Sequence, residues 1–366
     1  MSDSTTLRPA TISDVARAAG VSKATAAQVW RGSGRISPAT RALVLETAKQ
    51  LSYNPNPHAL RLANGRCQNL IGLYSLNLEL GPGTSKIKLI QRRLTDLGYD
   101  VPIYSYGSYG GGEMVNELAL MRALCSQRPR AIICVTFCLN DEIVALLETF
   151  EQDGGLVVCY DSEKEVPFDN VIYSMDDAMY HATRHLLEIG HRNIGFCLHG
   201  AEREGAKHYA PFYRALAEFG VTPRPEWIFH GHLYEEAGMR YAAEFLRLKD
   251  RPTAMHVVND VAASAFVNEI QRAGVMVPRD LSVVGLNDTL AASCAAVPLT
   301  TVSQPIEPVA TEVARLLCER LDGDYDGAPR RVVVPGRLVV RQSTAPRECA
   351  SEVEEELEYR VLSGVE

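Results

Sequence analysis

Between residues 69 and 286 short apolar runs alternate with amphipathic stretches, and no other feature of this chain narrows its fold so far. The runs "NLIGLYSL" (69–76), "DVPIYSY" (100–106), "AIICVTF" (131–137) and "LVVCY" (156–160) read as strands buried on both faces. "IKLIQRRLTDLGY", "VNELALMRALCSQ" and "DEIVALLETFEQ" fall between them and carry apolar residues at helical spacing. A second series follows, with helices at 178–190, 208–220, 237–248 and 263–274 and strands at 193–199, 226–231, 254–259 and 281–286. This alternation demands parallel strands joined by crossover helices, hence doubly wound sheets. At 366 residues there is material for more than one such unit, and two lobes with a cleft between them make a small-molecule clamp.

The first 66 residues differ in kind. They carry nine Lys or Arg against three acids, or +6, whereas the remainder has 28 basic and 42 acidic side chains, or −14. A basic head on an acidic body is the charge distribution of a nucleic-acid-binding module joined to something else. Thr11-Ile12-Ser13-Asp14 has the form of a capping box and opens a helix with Val15, Ala16 and Ala19 on one face. Gly20 supplies a left-handed helix end, Val21 pins the turn, and Ser22 is the next N-cap. The second helix runs to about Trp30, with Ala26, Val29 and Trp30 inward and Lys23, Ala24, Thr25 and Gln28 outward. Ser37-Pro38 then gives a cap and a first-turn proline for a third helix. Two short helices across a tight turn, braced by a third, form a helix-turn-helix, whose second helix enters a DNA major groove.

With "NPNPHALRL" (54–62) following, the run Thr11–Leu62 resembles the DNA-binding head of the LacI/GalR (lactose-repressor) family. The strings "HLLEIGHRNIGF", "RPTAMHVVND", "GVMVPRDLSVVGLND", "PLTTVSQP" and "RLVVRQST" resemble the same family's core, so the likeness extends to about residue 345. It implies an α + α/β fold: an N-terminal helix-turn-helix head with a hinge helix, joined to a two-lobed periplasmic-binding-protein-like core of doubly wound parallel sheets. The expected organisation is a head at 1–55, a hinge at 56–66, an N-terminal lobe at 67–161 plus 301–330, a C-terminal lobe at 162–300 plus 331–345, and an acidic tail at 346–366.

The resemblance implies that Thr11, Ser22, Thr25, Thr40, Tyr53 and Asn56 hold phosphates, which fixes register without carrying sequence information. Lys23, Ala24 and Gln28 occupy the base-reading positions. Lysine can donate to guanine O6 and N7, glutamine can pair with adenine, and an alanine methyl can touch a thymine methyl. Asn56 caps a hinge helix with Ala59 and Leu62 on one face, and Leu62 holds the place of the leucine that wedges into a minor-groove step. A helix this short is unstable alone and is expected to fold paired with its dimer mate on DNA.

Strand C-terminal ends point into the crevice of such folds, which nominates Ser75, Asn77, Asn140, Asp161, Tyr234, Asn259 and Asn287 as effector-binding. His208 joins them, standing where the sugar-binding members have an arginine, with Pro211 in place of the following glycine; Asn287 stands where an aspartate commonly anchors a sugar hydroxyl. A sugar-like effector is expected, and the less charged site also fits another polyol, a nucleoside-like ligand or no small ligand.

Other chemistries find little support. His181, His185 and His191 lack the glutamate of a metalloprotease helix, and "GPGTSK" is not a phosphate loop. No nucleophile elbow is present, so neither enzyme nor cofactor is expected. The nine cysteines include no C-x-x-C pair, there is no apolar leader, and the run 131–139 is far short of the roughly 20 residues of a membrane span. The sequence therefore reads as a cytoplasmic, homodimeric regulator, most simply a repressor. Its partners would be a pseudo-palindromic double-stranded DNA operator and a small-molecule effector, with no membrane. The alternative is a cytoplasmic solute-binding sensor without operator-specific DNA binding.

Overall fold

The structure, a computed structural model, describes residues 10–31, 36–53, 67–75, 81–105, 117–135, 139–161, 164–198, 209–230 and 234–347. In the head, α1 (Ile12–Ala18), α2 (Lys23–Arg31) and α3 (Pro38–Gln50) close on a core in which Val15, Ala26 and Val44 are fully buried. The capping box forms: the Thr11 N–H donates to Asp14 Oδ2 at 2.9 Å, and the Asp14 N–H donates to Thr11 Oγ1. Gly20 takes φ +64°, a conformation that a side chain would strain, and the Val21 N–H closes the turn on the Ala16 carbonyl at 3.0 Å. The Arg41 guanidinium donates to the Val29 carbonyl at 3.0 Å, tying α3 to the end of α2.

The first lobe is built on six parallel strands, β1 (Cys67–Ser75), β2 (Ile103–Ser105), β3 (Pro129–Val135), β4 (Leu156–Tyr160), β5 (Asp169–Tyr173) and β11 (Arg331–Val334). Their order is β11-β5-β4-β3-β1-β2. Helices α4 (Gly81–Asp96) and α12 (Ile306–Asp322) bury Ile71, Leu73, Ile133 and Val158 on one face. On the other, α5 (Glu117–Ser126) and α6 (Asp141–Gln152) bury Tyr74, Ile132, Cys134 and Cys159. Covered on both sides, these strands need the continuous apolar runs seen in the sequence.

The second lobe repeats the plan with β6 (Ile194–Leu198), β7 (Ile228–His230), β8 (Ala254–Val257) and β9 (Ser282–Val284), parallel and ordered β7-β6-β8-β9. Helices α7 (Met175–Glu188) and α8 (Ala210–Glu218) cover one face, and α9 (Tyr234–Arg247) and α10 (Asp260–Arg272) the other. A Cβ on Gly238 would lie 2.2 Å from the Ala262 carbonyl oxygen, so glycine is what lets α9 and α10 approach so closely. A short helix, α11 (Leu290–Cys294), precedes β10 (Thr301–Ser303), which pairs antiparallel with β12 (Arg337–Val339) between the lobes.

Two expected lobe boundaries are corrected. The chain does not leave the first lobe near Asp161: β5 pairs with β4, Tyr160 opposite Val171, and the Asp161 N–H donates to the Val171 carbonyl at 2.9 Å. The crossing follows Tyr173. Nor does it leave again near Arg331, because β11 pairs with β5 from Arg331 to Val334, and the last crossing lies at Pro335–Gly336. Asp169 locks this edge, accepting from Arg320 Nε at 3.0 Å and from Arg330 Nη2 at 2.8 Å. Burial pushes its carboxyl up, but the arginine hydrogen bonds outweigh burial and hold it at about 2.

Candidate nucleic-acid interface and ligand cleft

The outer face of α2 starts at Ser22, whose Oγ accepts the Thr25 N–H at 3.0 Å and shares a 2.8 Å hydrogen bond with Thr25 Oγ1. Ser37 and Thr40 repeat the arrangement at the start of α3, with distances of 3.1 and 2.8 Å. Neither helix has an acid in its first turn, so both N-termini keep their positive end uncompensated, as phosphate binding requires. Lys23 and Ala24 are exposed, Thr25, Gln28 and Thr40 are half-buried, and Thr11 is exposed at the start of α1. Tyr53 rests half-buried against the head core and is less available than an exposed phosphate ligand. Asn56, Ala59 and Leu62, and with them the hinge, lie outside the described residues.

In the core, Ser75, Asn140 and Asp161 stand at the C-terminal edge of the first sheet, and Asn259 and Asn287 at that of the second. Asn77 and His208 lie outside the described residues; Tyr234 opens α9, and its side chain is outside them too. Three of the placed residues do structural work. Asn140 Oδ1 accepts the Ile143 N–H at 2.8 Å and caps α6, and Asn259 Oδ1 accepts the Val261 N–H at 3.1 Å and caps α10. Asn287, at φ +106°, accepts from Gln304 Nε2 at 2.8 Å and fastens a crossover to the second lobe.

Asp161 is different. It is buried just beyond β4 and pairs through Oδ2 with the ammonium of Lys86, which is fully buried on α4 and stands 5.4 Å from the Tyr173 ring centre. Sequence reasoning missed Lys86, although a signal was present: Lys86, Ile87, Ile90 and Leu94 share the buried stripe of the helix, so this lysine sits where an apolar residue belongs. Asp260, also missed, begins α10 fully buried; it accepts from Thr301 Oγ1 and the Thr289 N–H, each at 2.7 Å, and burial pushes it up to about 7 against those bonds. Across the second wall, Tyr209 and His230 Nδ1 share a 2.7 Å hydrogen bond.

The three crossings meet at one glycine. A Cβ on Gly336 would lie 2.8 Å from the Ser303 carbonyl oxygen and 2.9 Å from Tyr173 Cε2, so all three strands pass side by side only because that residue has no side chain.

Residues 11–56 match the family described as "Bacterial regulatory proteins, lacI family", and residues 183–344 match a periplasmic binding protein-like domain. The HTH-type transcriptional regulator DegA of Bacillus subtilis is 32% identical over 338 residues, covering 92% of this chain and 98% of that protein. The HTH-type transcriptional repressor PurR of Aliivibrio salmonicida is 28% identical over 318 residues, 85% and 92% of the two chains. Among solved structures, the lac repressor dimer bound to operator and the anti-inducer ONPF superposes with a TM-score of 0.78 at 28% identity, over 92% of this chain and all of that one. A CelR–cellobiose complex gives 0.63 at 26% identity, over 91% and 99%.

Proposed function

The chain belongs to the LacI family of bacterial regulatory proteins, and from that membership we propose a homodimeric, sequence-specific DNA-binding transcriptional regulator, most simply a repressor. Its operator affinity is set by a small molecule held between the two lobes. The observation that carries this reading is the joining, in one chain, of a capped recognition helix with exposed Lys23 and Ala24 to a core whose lobes are linked by three crossings packed at Gly336. Two heads would sit on the half-sites of a pseudo-palindrome. A ligand drawing the lobes together rotates them about the crossings, and a coupling of about 1–3 kcal/mol between cleft and hinge is the usual size of such control. The protein would work by binding rather than catalysis, in the cytoplasm.

Titrating the full-length protein against duplex DNA over a range of salt tests the DNA-binding half of this reading. Affinity should fall steeply, with a log–log slope near −0.9 for each phosphate neutralised. Lys23→Ala, at a base-reading position, should weaken binding to the preferred sequence and leave the slope nearly unchanged, whereas a salt-independent or undetectable interaction would overturn the proposal.

A further inference from the structure

We propose that the acidic tail of this chain, residues 348–366, docks into the groove between α7 and β12, setting Val353 and Leu357 against Leu338 and Val340. The groove, of about 290 Å³, is lined by His181, Arg184 and Glu188 of α7 and by Gly336 and Leu338 at the last crossing. Leu338 and Val340, two residues apart along β12 and its continuation, share a face and are 39% and 60% exposed. Neighbouring large apolar side chains at a surface mark a contact site, as single ones do not.

The described chain delivers the tail to this place. The Arg347 N–H donates to the Ile189 carbonyl at 2.8 Å, and a Cβ on Gly190 would lie 2.5 Å from the Arg347 carbonyl oxygen. The tail therefore begins beside the end of α7, where Glu188 lines the groove. From Glu188 to His181 the groove follows about 10 Å of helix. The six residues from Arg347 to Val353 span at most about 20 Å, so the first large apolar side chain of the tail can reach all of it. Charge favours the same occupant. Residues 348–366 carry seven Glu and one Arg, or −6. Glu188 is already paired with Arg184, and the nearby Asp177 with Arg214. Arg192 and Arg337 are exposed and have no ion pair among the described residues. Asp176, an acid also without one, stands at the far end of α7, about 18 Å of helix from Glu188. Seated in the groove, the tail bridges the second lobe to the last crossing.

Cleavage of the full-length protein by a glutamate-specific protease tests this, read by mass as the rate at which the tail is cut at its own glutamates. Cleavage follows the population of the open form, so docking should hold that rate at least about tenfold below the rate in Leu338→Glu with Val340→Glu. That variant puts two carboxylates on the docking face, at positions exposed enough for the fold to survive. Val353→Ser with Leu357→Ser, which alters the tail alone and leaves the core untouched, should release it as fully. A wild-type rate equal to that of either variant would overturn the proposal. So would protection that falls as the protein is diluted, which would give the groove to the tail of another copy.

Discussion

On the proposed reading Ser22 carries two roles that substitution can separate. As the N-cap of α2 its Oγ accepts the Thr25 N–H at 3.0 Å, and the proposed phosphate contact falls to the same exposed residue. Replacing a serine cap by alanine costs about 1 kcal/mol of helix stability. In a head whose core is three short helices, that should speed amide exchange across α2 about fivefold. Aspartate caps as well as serine does, and its charge at a helix N-terminus adds roughly 0.3–1 kcal/mol, so Ser22→Asp should leave exchange unchanged or slower. On DNA the order reverses. Alanine merely removes one contact, whereas a carboxylate facing a phosphate at about 4 Å adds repulsion of up to about 4 kcal/mol near a protein surface, diminished by salt. Each half-site would feel it. Hydrogen exchange and DNA titration of the wild type and both variants form the assay. Aspartate binding DNA as tightly as serine does, or destabilising α2 as alanine does, would refute the assignment of both roles to one hydroxyl.

Gly336→Ala should push the crossings apart, losing about 1–3 kcal/mol in urea unfolding, and unchanged stability would mean the three strands have room to spare. Acid should weaken the core. Burial holds His191 at about 4 and His256 at about 3, so stability present above their unfolded value near 6.5 is lost as pH falls, about 2 kcal/mol each between pH 7 and 5. Asp260 acts in the opposite sense. Its folded value of about 7 lies above the unfolded one, so it returns about 2 kcal/mol over the same interval. The net loss of about 2 kcal/mol is read from urea titrations at the two pH values, and equal or greater stability at pH 5 would contradict it. Gln28→Ala should relax preference at one base position per half-site by about 1–3 kcal/mol, and a loss uniform across sequences would make Gln28 a positioning residue instead.

The head was legible because its signals are local: a capping box, a glycine at positive φ and two serine caps each act within four residues of chain. The sheets were legible wherever an apolar run was flanked by helices. Strand β5 was not, since "DNVIY" follows β4 with no helix between them and is identified as a strand only by its partners β4 and β11. The cleft was half legible. Position at a strand end could be read, but an asparagine there serves equally to cap the next helix, and Asn140 and Asn259 do so. Lys86 was marked as a lysine in an apolar stripe, but its partner was not legible, because only the fold brings it to an aspartate 75 residues away.

On the proposed function this chain reads DNA sequence. Selection of fragments from genomic DNA by the full-length protein at near-physiological salt tests it most directly. One pseudo-palindromic site should be recovered, with half-sites that change when Gln28 is replaced. Recovery that is blind to sequence and vanishes as salt rises would contradict it.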